Sequence, residues 1–449
     1  MDNRDTGLVI FSTFTLSILT NGCHTGKDPN GVTQQPNVIF VFADQWRAQA
    51  TGFAGDPNAH TPAIDKLAGE SIVFSTAVCT APVSSPYRAS LLTGKYPLTH
   101  GVFMNDVSLD SEINSMGKIF KTSGYNTAYI GKWHLDGHGR SAYIPPERRQ
   151  GFDYWKVLEC THDYNNSLYY SLSDTVPSKW QGYDAYCQTI DAQNYISEHT
   201  GGEKPFLLVL SWGPPHNPYN TAPEKFKNVY NDYPIQLRPN VPLKDRETAI
   251  KDLKGYYAHI YALDECIDML ISTIDSNGIT SNTIFVFTSD HGDQLYSQGM
   301  VRKQKPFDES ILVPFLLRYP KLQASKSKII EAPISTPDIL PTLLGLCNLE
   351  IPQTLEGMDF SIYLKGKREL KDNNALIMSV TPFGEWSRSK GGVEYRGIRT
   401  KRYTYVRKLD GPWLLFDNKT DPYQQNNLVG NPEFSRLQAK IEKILKQQT

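Results

Sequence analysis

Long hydrophobic runs are nearly missing from this chain of 449 residues. The one at its start, residues 7–19, has the length of a signal-peptide core and is too short to span a bilayer comfortably. That excludes an ordinary membrane-spanning anchor there and predicts export. An excess of charge is missing too: 46 Lys and Arg stand against 47 Asp and Glu, a formal net charge of −1. Such a balance implies no general attraction to nucleic acid or to an anionic membrane, so selectivity for anions has to come from local clusters. Cysteine is sparse, six residues at 23, 79, 160, 187, 266 and 347, and their scatter fits neither a metal-binding nor a disulfide framework. No internal repeat is visible.

What is present suits a globular chain long enough for one large domain and a smaller one. Behind the apolar leader, Thr20-Asn21-Gly22-Cys23 reads as an imperfect lipoprotein box with Cys23 as the lipidated residue; a plain cleaved signal is the alternative. Residues 24–35 are polar, as in a flexible tether. The expected division is 1–35 leader and tether, 36–370 catalytic domain, 371–449 C-terminal subdomain.

Four apolar segments carry the main domain. Residues 36–43 (PNVIFVFA), 126–130, 205–212 (PFLLVLSW) and 282–289 (NTIFVFTS) read as strands, most of them apolar enough to be buried on both faces. Each runs into polar residues: Asp44-Gln45, Lys132 with His134, His216, and Asp290-His291. Lys132 and His134, two apart on extended backbone, should face the same way. Open α/β sheets place ligands at the carboxyl ends of their strands, and four such ends of one character are hard to obtain from turns alone. Helices are expected at 61–68, 116–123, 186–200 and 250–277, and loops rising above the sheet at 136–185. Beyond residue 370 four short antiparallel strands (375–380, 395–400, 402–408, 413–417) precede a closing helix at 433–447.

Residues 83–94 read VSSPYRASLLTG. Pro86 suits a first helical turn and Gly94 a helix stop. Ser84 then lies just before a helix N-terminus, where N–H groups and the dipole favour an anion, and Arg88 can point back at it. An ordinary serine cap is the plainer alternative.

Ser84-x-Pro86-x-Arg88 followed by Leu91-Leu92-Thr93-Gly94 resembles the signature of the formylglycine-dependent sulfatases, in its serine-type form. Tyr87 departs from the usual Ser or Ala, and the rival Cys79 lacks the arginine four residues on. The resemblance implies an alkaline phosphatase-like α/β fold: a large, mostly parallel mixed sheet sandwiched by helices, with a smaller C-terminal antiparallel-sheet subdomain closed by a helix. It implies Cα-formylglycine made from Ser84 by a maturase, and a Ca²⁺ held by Asp44, Gln45, Asp290 and His291 with the oxidised Ser84. Gln45 stands where many members have a second Asp, and His291 where Asn is frequent; nitrogen is a poor Ca²⁺ ligand, so a bond to a sulfate oxygen is the alternative for His291. Lys132 and Lys303 would clamp a sulfate, with Lys305 as rival to Lys303. His216 would protonate the leaving oxygen, and His134 and Arg88 would orient the formylglycine hydroxyls. Asn105, Arg396 and Arg399 are the expected substrate contacts, although the segment holding the two arginines could equally be a sheet packed on the main domain. The expected substrate is a sulfated carbohydrate met in the periplasm or at the outer membrane. A phosphodiester or phosphonate hydrolase of the same superfamily, and a non-catalytic glycan-binding protein, are the alternatives.

Overall fold

A computed structural model describes Met1 and residues 35–322, 327–370 and 373–449. The leader and Cys23 lie outside the described residues. Among those that are described, no helix is long and apolar enough to cross a membrane. Gln35–Thr449 forms one compact unit.

Its centre is a ten-stranded sheet. Five neighbouring strands run parallel, in the order Thr283–Ser289, Asn37–Asp44, Phe206–Pro215, Asn126–Lys132 and Tyr154–Leu158. Alternate side chains of Asn37–Asp44 feed two separate cores. Val38, Phe40 and Phe42 pack with the helices Ser84–Thr93 and Ile339–Leu346, while Ile39, Val41 and Ala43 pack with Asp184–His199 and Arg246–Ser276. A strand covered on both faces has no polar side to show, so its continuous apolar reading comes from its position. Because the five strands are parallel, Asp44, Lys132, His216 and Asp290 arrive at one edge.

The fold is the mixed, mostly parallel α/β sheet that the sequence implies, with a four-stranded antiparallel sheet behind it (Ala375–Ser379, Tyr395–Arg399, Tyr403–Lys408, Gly411–Asp417). One face of that small sheet packs on Phe307, Ile311 and Leu312. Helix Ser435–Gln448 closes the other through Ile441 and Leu445. Residues 136–185 differ from expectation, because they supply Tyr154–Leu158, Leu168–Ser171 and Ser178–Lys179, which extend one edge of the main sheet. These strands are short, and the outer two are partly to fully exposed, so they lack the apolar run that marks the central ones.

Candidate active site

Helix Ser84–Thr93 is buried along its whole length, with Val83 as its cap, so Ser84 is the first helical residue rather than the residue before it. Gly94 ends the helix in the left-handed conformation at φ 63°. Arg88 does not point back at Ser84. Its guanidinium donates to the Lys132 carbonyl at 2.7 Å, the Ser211 hydroxyl at 2.6 Å and Asp44 at 3.2 Å, and lies 3.5 Å from Asp290. One arginine thus ties the helix to four neighbouring strands of the sheet.

The Ser84 hydroxyl donates toward the Asp44 carboxylate at 3.3 Å, lies 3.2 Å from His291 Nε2, and accepts from Lys303 Nζ at 3.5 Å. Lys132 Nζ donates to Asp44 at 2.6 Å. Burial alone would raise the Asp44 pKa, but the charges around it, Lys132 first, hold it well below the usual carboxylate range. Asp290 goes the other way, pushed up to about 7 by burial and then by Asp44. Lys305, by contrast, donates to the Val301 carbonyl at 2.6 Å and sits over the Trp386 ring, so Lys303 is the lysine at Ser84. Cys79 is buried, donates to the Ala81 carbonyl and has its thiol pushed well up by burial.

Asp44, Asp290 and His291 present ligand atoms that all lie within 4.8 Å of one another. His291 Nδ1 can only donate to the Gly292 carbonyl, at 3.0 Å. The other nitrogen of the neutral ring therefore carries a lone pair facing Asp44 at 3.6 Å and Asp290 at 3.5 Å. The Ser84 hydroxyl, 3.2 Å away, is the one donor that could meet that lone pair among the described residues, and the carboxylates beside it offer none, so a cation between them would suit all three. Asp290 Oδ2 and Gln45 Oε1 are buried without hydrogen-bond partners among the described residues. Two carboxylates and an imidazole nitrogen fit a divalent cation, the oxygens suiting a hard one. Gln45 Nε2 meanwhile donates to Asp293 at 2.6 Å, and the backbone N–H of Gln45 to Asp290 at 2.9 Å.

The Sulfatase family model matches residues 36–349. The chain belongs to the sulfatase family. A second model, described as the C-terminal part of N-sulphoglucosamine sulphohydrolase, matches residues 297–449 of this sulfatase. It is 48% identical to an ulvan-active sulfatase of Formosa agariphila over 98% of this chain and 85% of that protein. It is 31% identical to an endo-4-O-sulfatase of Bacteroides thetaiotaomicron over 94% of this chain and 92% of that one. Among solved structures, a Bacteroides fragilis protein described as a putative sulfatase superposes with a TM-score of 0.85 at 30% identity, covering 95% of this chain and 97% of that one.

The remaining expected residues of this sulfatase divide. His216 lies at the site, its Nδ1–H donating to the Asn217 carbonyl at 2.7 Å, which leaves Nε2 free. The strand ends at Lys132 and His134 adopts φ 59°, so the two do not share extended backbone; the His134 ring bonds Asp106 at 3.3 Å. Burial and then Lys132 push His134 down to about 3. Asn105 accepts from the Ser85 N–H at 3.1 Å, so its oxygen serves the helix start. Arg399 and Arg396 do not reach the site. Arg399 is buried and bonded twice to Asp308, at 3.0 and 2.9 Å. Arg396 lies on the opposite face of the small sheet beside Leu445, held by Glu394 and the Tyr395 carbonyl. An odd spacing along a strand forces that split.

His162 was not expected. Its ring stacks on that of His216 with centroids 4.4 Å apart and planes 1° from parallel. Burial and then Lys132 push it down to about 3. Its only sequence signal is a histidine in a polar, aromatic-rich loop, which is weak.

Proposed function

We propose that this sulfatase removes sulfate esters from a sulfated poly- or oligosaccharide, with Ser84 converted to formylglycine and Ca²⁺ held by Asp44, Gln45, Asp290 and His291. The observation that carries the reading is the Ser84 hydroxyl, fixed on a buried helix within reach of both Asp44 and His291 and flanked by Lys303. The relatives named as an ulvan-active sulfatase and an N-acetylglucosamine-6-O-sulfatase support the substrate class.

The hydrated aldehyde of formylglycine supplies the oxygen nucleophile for sulfur, and the cation lowers the cost of holding it beside two carboxylates. The chain's own residues do the rest. Lys132 and Lys303 converge on the space above Ser84 as fixed positive charges for the sulfate oxygens. His216 Nε2 is the group placed to give a proton to the leaving sugar oxygen. Burial and Lys303 hold His216 well below its usual range, and an anion between the two lysines offsets that suppression. Arg88 keeps the helix start pinned to Asp44 and Asp290 while charge builds. His134, neutral and held by Asp106, is positioned to accept a proton as sulfate leaves. The N-terminal leader is read as an export signal, with Cys23 as a lipid attachment point and residues 371–449 as a subdomain built onto the catalytic one.

Two measurements test this. The tryptic peptide holding Ser84 should be lighter than the serine form by two hydrogens. Purified enzyme should release sulfate from defined sulfated oligosaccharides much faster than it cleaves matching phosphate or phosphonate esters; a preference for phosphonate would overturn the assignment.

A further inference from the structure

Arg47 comes just after the metal-site loop, yet its side chain leaves that pocket. It lines a cavity of about 560 Å³ whose walls include Asp56, Arg238, Tyr257 and Tyr423 and none of the residues around Ser84. Arg47 as a whole is 2% exposed, and its guanidinium stays charged at any accessible pH. It has five N–H donors, and among the described residues its one hydrogen bond is a long one, to the Tyr257 hydroxyl at 3.5 Å. Nε is buried with no hydrogen-bond partner among the described residues. Asp56, whose field Arg47 feels, is taken up by the Tyr257 hydroxyl instead. Arg238 adds a second guanidinium: Nε donates to Glu309 at 3.1 Å, the group lies over the Tyr423 ring, and its outer nitrogens face no protein acceptor among the described residues. A buried cation with most donors unused is costly unless an anion joins it.

We propose that Arg47 and Arg238 form a second oxyanion-binding site, apart from the Ser84 pocket, for a sulfate- or carboxylate-bearing ligand of sugar size. The cavity volume lies in the range of small-ligand pockets, well above the needs of a bare sulfate, and the Tyr257 and Tyr423 rings offer flat apolar faces beside the two cations. This second site stands independently of the chemistry assigned to Ser84.

Crystals soaked in sodium selenate should show anomalous density within hydrogen-bond reach of Arg47, besides any at Lys132 and Lys303. Calorimetry with glucuronic acid, and with its uncharged methyl ester, separates the two sources of the anion: selenate density alone marks a free inorganic oxyanion, whereas glucuronate binding that the ester lacks marks an acidic sugar. Either supports the site. Arg47→Gln and Arg238→Gln should each remove the selenate density there and weaken glucuronate binding by about tenfold or more. The second variant, at a partly exposed position, guards against misfolding of the first. Absence of density near Arg47 while the Ser84 pocket fills, or binding unaltered in both variants, overturns the proposal.

Discussion

Ser84 differs from the other buried serines in the company it keeps: a carboxylate, an imidazole and a lysine within about one hydrogen-bond reach of a single hydroxyl. Ser84→Ala removes the only oxygen at that point, so sulfate release should fall by about 10³-fold or more while the unfolding midpoint changes little; retained activity would place the chemistry elsewhere. A buried acid away from the site makes a pH prediction. Asp184 heads helix Asp184–His199, one carboxylate oxygen lacks a hydrogen-bond partner, and burial pushes its pKa up to about 8. A carboxyl raised in the folded state keeps its proton where the unfolded chain has lost it. Its contribution to stability is therefore complete below pH 4 and erodes as pH climbs toward 8, by as much as about 5 kcal/mol. Asp184→Asn should raise the denaturant midpoint near pH 9 and leave it unchanged near pH 4.

Helix Ser84–Thr93 is short and nonpolar in no regular stripe, so its own propensity cannot hold it; packing does. Tyr87, where the family pattern has a small residue, is fully buried against Phe42 with ring centroids 5.9 Å apart. It fills the space between the helix and the central strand. Tyr87→Ala should cost about 3–5 kcal/mol, the range for emptying an aromatic site in a core, and should lower the yield of folded enzyme; a urea titration reads both the midpoint and the slope. The resemblance identified Tyr87 only as a departure. Its packing role was not legible because the partner, Phe42, belongs to a strand far away in sequence. The same holds for the loop at 136–185, whose strands exist because the sheet edge offers them hydrogen bonds, not because their residues alternate.

Across the molecule, two long-range arrangements can be tested one at a time. The small C-terminal sheet is fastened by Arg399 to Asp308, next to the segment that carries Lys303. Arg399→Ala leaves a buried carboxylate unpaired and should cost about 3–5 kcal/mol, read as a fall in the unfolding midpoint. Arg396→Ala, on the outer face, should leave kcat/KM within about twofold. The second arrangement is the acid cluster. Adding EDTA should lower both activity and thermal stability, and Ca²⁺ at a hundredfold excess over its Kd should restore about 2.7 kcal/mol; a midpoint indifferent to Ca²⁺ would sink the cation reading. Asp44, Lys132, His216 and Asp290 could be placed at one edge from residue order alone, since apolar runs announce buried parallel strands and such strands deliver their trailing residues to one edge; Ser84 was marked by its helix start and by the resemblance of its motif. Side-chain direction could not be read that way. Whether Arg88 faces Ser84 or the acids, whether Arg399 meets substrate or Asp308, that His162 stacks on His216, and that Arg47 lines a cavity beside Tyr257 all depend on contacts between distant segments. Local pattern encodes where the backbone goes; only packing fixes which charge meets which.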